Sequence, residues 1–165
     1  IAGLVSSAFG LSATPVDIDR DGWLDIYVAN DFIEPDNVYF NNRDGTFTDH
    51  FFDYFKHTSH FSMGTDATDF NNDGLVDIIV VDMKSGDHVR YKELANPMQY
   101  DKYNLMVQYG YGRQPGRNML QLNCGNNTFI DIGQFAGVSA TDWSWTPLMA
   151  DFNNDGWKDI YITNG

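Results

Sequence analysis

The chain has 165 residues, 20% of them charged, and a net charge of −13 at pH 7. That length suits one ordinary domain, and such acidity excludes general nucleic-acid binding, which needs a basic face to meet phosphates. The single cysteine, Cys124, excludes an internal disulfide, and no apolar run approaches the roughly eighteen residues of a membrane-inserting helix.

In chain order the sequence repeats one unit. Residues 13–16 supply an inner strand and lead into an acidic loop holding Asp17, Asp19, Asp21, Gly22, Trp23 and Asp25. The apolar run Ile26, Tyr27, Val28 follows the last aspartate. Residues 65–68 lead in the same way into Asp69, Asn71, Asp73, Gly74, Leu75 and Asp77, and then into the apolar run 78–81. Residues 147–150 lead into Asp151, Asn153, Asp155, Gly156, Trp157 and Asp159, and then into 160–162. A small residue stands five before each loop: Ser12, Gly64 and Thr146.

The loop chemistry points to Ca2+. This hard cation takes six to eight oxygen ligands in a flexible shell. Asp or Asn at positions one, three and five directs oxygens at one centre, and Gly at position six permits the sharp turn. Trp23, Leu75 and Trp157 at position seven can add a backbone carbonyl, and Asp25, Asp77 and Asp159 close the cage. An EF-hand is excluded, because it requires Glu at position twelve and a following helix. Here position twelve is Val28, Val80 or Ile162, within β-branched runs that favour strands. Mg2+ prefers water-rich octahedral sites and suits these cages less well. The spacing predicts about three Ca2+ sites whose role is structural.

After the second strand of the unit comes a hairpin. Residues 37–47 match 118–129 when one extra residue is allowed, with Asp44-Gly45 and Asn126-Asn127 supplying turn chemistry. Four short strands per unit describe a β-propeller blade. The predicted fold is therefore all-β, with about two and a half to three blades of four antiparallel strands. Blade one covers about 11–49, blade two about 61–132, and a partial blade three 143–165. Because propellers close with four to eight blades, the remaining blades of a larger chain are the first expected partner.

The loop starts lie 52 and then 82 residues apart, and the excess is an insertion at 84–117. It holds six of the ten basic residues and five of the nine tyrosines. Asn96 as N-cap, Pro97 at the first turn and Gly110 as terminator predict a helix over about 97–109. Met98, Lys102, Leu105, Met106 and Tyr109 follow helical spacing along it. Arg90, Tyr91, Tyr109, Tyr111, Arg113 and Arg117 are the candidate contact residues for a protein or glycan partner, since Arg and Tyr suit carboxylates, sugar faces and interface hot spots.

Other signals are weaker. His57 and His60 lack a third metal ligand nearby and read as ordinary loop residues. Trp143 and Trp145 read as inner blade packing. No nucleophile elbow, phosphate loop or HExxH motif is present. An enzymatic alternative, a polysaccharide lyase or hydrolase, would rest on His88, Tyr91, Arg113 and Arg117. A third alternative is an architectural subunit of a cell-envelope complex.

Phe9-Gly10 ahead of the first acidic loop resembles the FG-GAP repeat, and Ser62-Met63-Gly64 ahead of the second resembles VCBS-type repeats. The hairpin with Gly45-Thr46-Phe47, and Trp143-Ser144-Trp145 before the third loop, are similar to large bacterial propeller proteins associated with ASPIC/UnbV domains. The resemblance covers nearly the whole chain. It implies a propeller related to integrin α-subunit heads, Ca2+ in the blade loops, and a secreted, cell-surface or periplasmic location. It implies no single activity.

Overall fold

The structure, a computed structural model, describes residues 2–94 and 100–165. Four strands, β1 (Phe9–Val16), β2 (Asp25–Asp31), β3 (Asn37–Asn41) and β4 (Phe47–Asp49), form one antiparallel sheet in chain order. A second sheet repeats this with β5 (Gly64–Thr68), β6 (Asp77–Val81), β7 (Met119–Asn123) and β8 (Phe129–Asp131). A third pair, β9 (Ser144–Ala150) and β10 (Asp159–Asn164), repeats only the inner half. The fold is all-β, with sheets that have the form of propeller blades.

Sheet alternation explains how the blades stack. Successive side chains of a strand point to opposite faces. Ile78 and Val80 of β6 enter a core with Tyr27, Val38, Phe40, Phe51, Phe55 and Phe129. Ile79 and Val81 enter a second core with Met63, Leu120 and Met149. β6 is thus buried on both faces, which is why it reads as an unbroken apolar run. Full burial of each such side chain contributes about 1.5–3 kcal/mol. In β10, which has a neighbour on one face only, Tyr161 is exposed.

The inner strands approach closely. Thr14 Oγ1 donates to Thr65 O at 3.1 Å, tying β1 to β5, and Met149 N donates to Asp66 Oδ2 at 2.7 Å, tying β9 to β5. A Cβ on Gly64 would lie 2.2 Å from Trp145 O, so β9 runs where no larger residue fits. Trp145 is itself about half exposed, so the backbone of this segment packs more fully than its indole. Between the first two blades, α1 (Phe51–Tyr54) helps fill the gap with stacked rings. Phe51 and Phe55 lie 5.1 Å apart between centroids, and Phe55 and Phe129 4.3 Å.

The register corrects the hairpin alignment. Asn37 pairs with Val28 and Met119 with Val80. Asn37 is therefore equivalent to Met119, not to Asn118, and the hairpins match without an extra residue. Asp36 is the counterpart of Asn118.

Among the described residues, the insertion carries two helices. α2 (His88–Leu94) was not expected, and α3 (Tyr100–Gln108) falls within the expected 97–109 helix. Met98 and the predicted cap, Asn96-Pro97, lie outside the described residues. Gly110 has φ +88° and follows the end of α3, as a C-terminal glycine does. Of the residues at helical spacing, Met106 is buried, whereas Leu105 and Tyr109 are exposed. Long-range contacts hold this segment. Lys102 extends over the Phe32 ring, 4.8 Å from its centroid, and Gln114 Nε2 donates to Ile33 O at 2.8 Å. The insertion is thus fastened to the β2–β3 connection of the first blade. Strand connections alternate ends in an antiparallel sheet, so the β5–β6 acidic loop and the β6–β7 insertion leave blade two from opposite ends.

Candidate metal centres and the insertion face

The three acidic loops share one pattern of hydrogen bonds from the loop backbone. The first carboxylate, Asp17, Asp69 or Asp151, accepts from two backbone N–H groups, those of loop positions five and six, at 2.9–3.1 Å. The third-position oxygen of Asp19, Asn71 or Asn153 accepts from position five at 2.9–3.1 Å. The fifth carboxylate, Asp21, Asp73 or Asp155, accepts from the N–H of Trp23, Leu75 or Trp157 at 2.7–2.8 Å. The chain turns through left-handed backbone twice in each loop: at Arg20, Asn72 and Asn154, and at Gly22, Gly74 and Gly156. Glycine takes the second of these without a Cβ clash.

The ninth-position aspartates lie at the root of the loop. Asp25 is buried; its Oδ2 accepts from Ile18 N at 2.9 Å and its Oδ1 from Asn41 N at 2.9 Å. Asp77 repeats this with Phe70 N and Asn123 N, and Asp159 accepts from Phe152 N. Each carboxylate oxygen keeps a second acceptor direction, but the carboxylates that converge in loop one are Asp17, Asp19 and Asp21, and Asp25 is not among them. Burial raises the pKa of Asp25 and Asp77, against their backbone hydrogen bonds. A nearby cation would offset that cost. The Arg43 guanidinium lowers Asp21, and the Gly156 N–H lowers Asp151.

The donor set fits Ca2+. Oxygens of Asp17, Asp19 and Asp21 all lie within 4.8 Å of one another, and the loops contain no His or Cys to favour a softer ion. Loops two and three offer the same geometry with an amide in place of the third-position carboxylate. They also touch: Asn72 Nδ2 donates to Gly156 O at 2.8 Å.

The insertion residues have different fates. Arg117 pairs with Asp131 through Nη1, and His57 Nε2 meets the same carboxylate at 3.3 Å. Burial pushes Asp131 up, but His57, the Gly133 N–H and Arg117 outweigh it and hold the group at about 2. Arg117 therefore fastens the second blade. Arg90 pairs with Asp142 at 2.8 Å. Tyr91 is partly exposed with Lys84 Nζ 5.8 Å from its ring centroid, and Tyr109 is largely exposed. Arg113 is exposed and Tyr111 half-buried. His60 is buried, its Nδ1 3.1 Å from Gln114 Oε1, so the two histidines serve separate partners.

Two features escaped the sequence reading. Arg43 reaches Asp21 from 22 residues away, with Nε at 2.8 Å and Nη2 at 2.6 Å from Oδ2. Asp36 is buried, accepting from Tyr27 Oη at 2.7 Å and Asn30 N at 2.9 Å. Burial pushes it up to about 6 despite those hydrogen bonds. A usable signal was present for Arg43: loop one alone carries Asp rather than Asn at its third position.

Four-stranded blades with an acidic turn between the two inner strands define a β-propeller repeat protein. A family model described as FG-GAP-like repeat matches residues 17–80 and 106–162, and the chain belongs to that family. No curated protein matches the chain significantly. Among the described residues, no helix is long and apolar enough to cross a membrane.

Proposed function

We propose that this chain is a Ca2+-stabilised propeller segment serving protein or glycan recognition and adhesion outside the cytoplasm, in a secreted, cell-surface or periplasmic setting. The observation that carries the reading is the convergence of Asp17, Asp19 and Asp21 oxygens in a geometry that two further loops repeat. Such a site gathers negative charge at a turn that a divalent cation would hold together. Ca2+ that binds the folded loops and not the unfolded chain stabilises by mass action, by about 2.7 kcal/mol per site at a hundredfold excess over Kd. Millimolar external calcium would fill sites of modest affinity.

Recognition is assigned to the end of the blades that carries the insertion. Tyr109 and Arg113 present an aromatic and a cationic group there, on an otherwise acidic scaffold. The remaining blades of a larger propeller would cover the open apolar flank at Leu148 and Tyr161. Calorimetric titration with Ca2+ and thermal unfolding with and without chelator test the metal reading. Binding at about three sites and a lower Tm on chelation are expected. An unmoved Tm sinks the structural role.

A further inference from the structure

We infer that Arg43 is the built-in counter-cation of the first acidic loop and holds that loop's Ca2+ affinity below what its carboxylates alone would give. The inference rests on the metal reading above. The three loops share one backbone geometry, so their differences are informative. In loops two and three, the fifth carboxylate's Oδ2 is met from within the loop: Asn71 Nδ2 donates to Asp73 at 2.9 Å, and Asn153 Nδ2 to Asp155 at 3.1 Å. Asp19 of loop one has no such donor. Arg43 takes its place from outside, both guanidinium contacts ending on the same Oδ2 of Asp21.

The position of Arg43 sharpens the point. Its N–H donates to Asn41 Oδ1 at 2.9 Å, as the Gly125 N–H donates to Asn123 Oδ1 at 2.9 Å, so Arg43 and Gly125 occupy the same place in the β3–β4 and β7–β8 turns. Both are left-handed, at φ +63° and +73°. That backbone suits glycine and strains arginine, so the turn itself gives no reason for arginine there. What Arg43 provides is charge beside the loop with the extra carboxylate. A divalent ion drawing on Asp21 Oδ2 must displace the guanidinium or share the oxygen with it. In loops two and three it needs only to turn an amide. Arg43 is also more than half exposed, which leaves it free to swing into solvent.

Trp23 at position seven makes the site readable. Tb3+ replaces Ca2+ in oxygen cages and is sensitised by a nearby indole. Trp157→Phe removes the corresponding indole from loop three, while loop two carries Leu75. In this background, on the full 165-residue chain, Tb3+ titration and Ca2+ competition are compared for Arg43, Arg43→Gly and Arg43→Lys. Arg43→Gly is expected to tighten loop one about twofold to tenfold, the range that one exposed charge beside a divalent ion supports. Arg43→Lys should fall between, and the gain should shrink as salt rises. Sensitised emission with an unchanged midpoint in Arg43→Gly overturns the role of Arg43 alone. Absence of both emission and Ca2+ binding heat in every variant overturns the metal reading, and this inference with it.

Discussion

Blades one and two are built on one plan and differ where each meets its neighbours. In both, a backbone N–H at the end of the second strand is capped by a side chain just before the third. Blade one uses Asp36 to cap Asn30 N, and blade two uses Asn118 to cap Asp82 N. The acid and the amide have exchanged places. Each blade thus keeps one buried carboxylate in this corner. In blade one it is Asp36, facing Tyr27; in blade two it is Asp82, which accepts from Ser59 Oγ and Phe61 N. The cap constrains shape, and the local donors decide which partner carries the charge.

The sharpest way to break that comparison is to undo the exchange. Asn118→Asp would put a second carboxylate beside Asp82 and remove the donor that Asn118 Nδ2 offers to Val138 O. A loss of about 3–5 kcal/mol is expected at pH 7, the cost of an uncompensated buried charge, read by urea unfolding. Asp36→Asn should cost far less, because a hydroxyl such as that of Tyr27 can donate or accept. Its signature is pH dependence. The folded pKa of Asp36, about 6, lies above the ordinary aspartate value of 3.8, so the folded state binds the proton more tightly. The contribution of Asp36 is full below about pH 4 and is lost as pH rises through 6, by on the order of 2–3 kcal/mol. Asp36→Asn should flatten that slope.

A second contrast concerns neighbours. Ile26 and Ile78 each follow the last aspartate of an acidic loop. Ile78 is fully buried between blades, whereas Ile26 is only half-buried on the outer face of blade one. Ile78→Ala should cost about 2–5 kcal/mol; Ile26→Ala should cost about 1 kcal/mol or less, in proportion to the area it buries. Equal losses would mean that the outer face of blade one is as well packed as the inner. Ser12 and Gly64 make a similar pair. Gly64→Ala drives a Cβ into Trp145 O and should cost about 1–3 kcal/mol, while Ser12 already carries a side chain at the matching position.

These contrasts also mark what the sequence made legible. The strands and acidic loops were readable because their signals are local: alternation, Asp and Asn at fixed offsets, Gly at the turn. β6 announced its double burial in Ile-Ile-Val-Val. The insertion resisted because its order comes from distant contacts. Lys102 reaches Phe32 and Gln114 reaches Ile33, and neither pair shares a periodicity. The hairpin alignment slipped by one for a related reason. Asn118 resembles Asn37 as a letter but does the work of Asp36, and only the strand register separates them. Arg117, read as a contact residue, proved to be held by Asp131, fourteen residues on.

That clamp supplies the smallest prediction. Asp131 Oδ1 accepts from Leu120 N and Gly133 N, as Asp49 Oδ1 in blade one accepts from Val38 N and Phe51 N. The blades differ in what meets Oδ2: Asn37 Nδ2 in blade one, and Arg117 with His57 in blade two. A cationic partner favours the ionised carboxylate, and Asp131 is held at about 2, below the ordinary aspartate value of 3.8. For an acid with a depressed folded pKa, the stabilisation is full above about pH 4 and is lost as pH falls towards 2. Arg117→Gln keeps a donor and removes the charge. It should raise the acid-unfolding midpoint by a few tenths of a pH unit, scaled down from the full shift because His57 and the Gly133 N–H remain. His57 should then carry more of the load, so Arg117→Gln combined with His57→Gln should move the midpoint further than the two single changes added. Strict additivity would mean that the two side chains act on Asp131 independently.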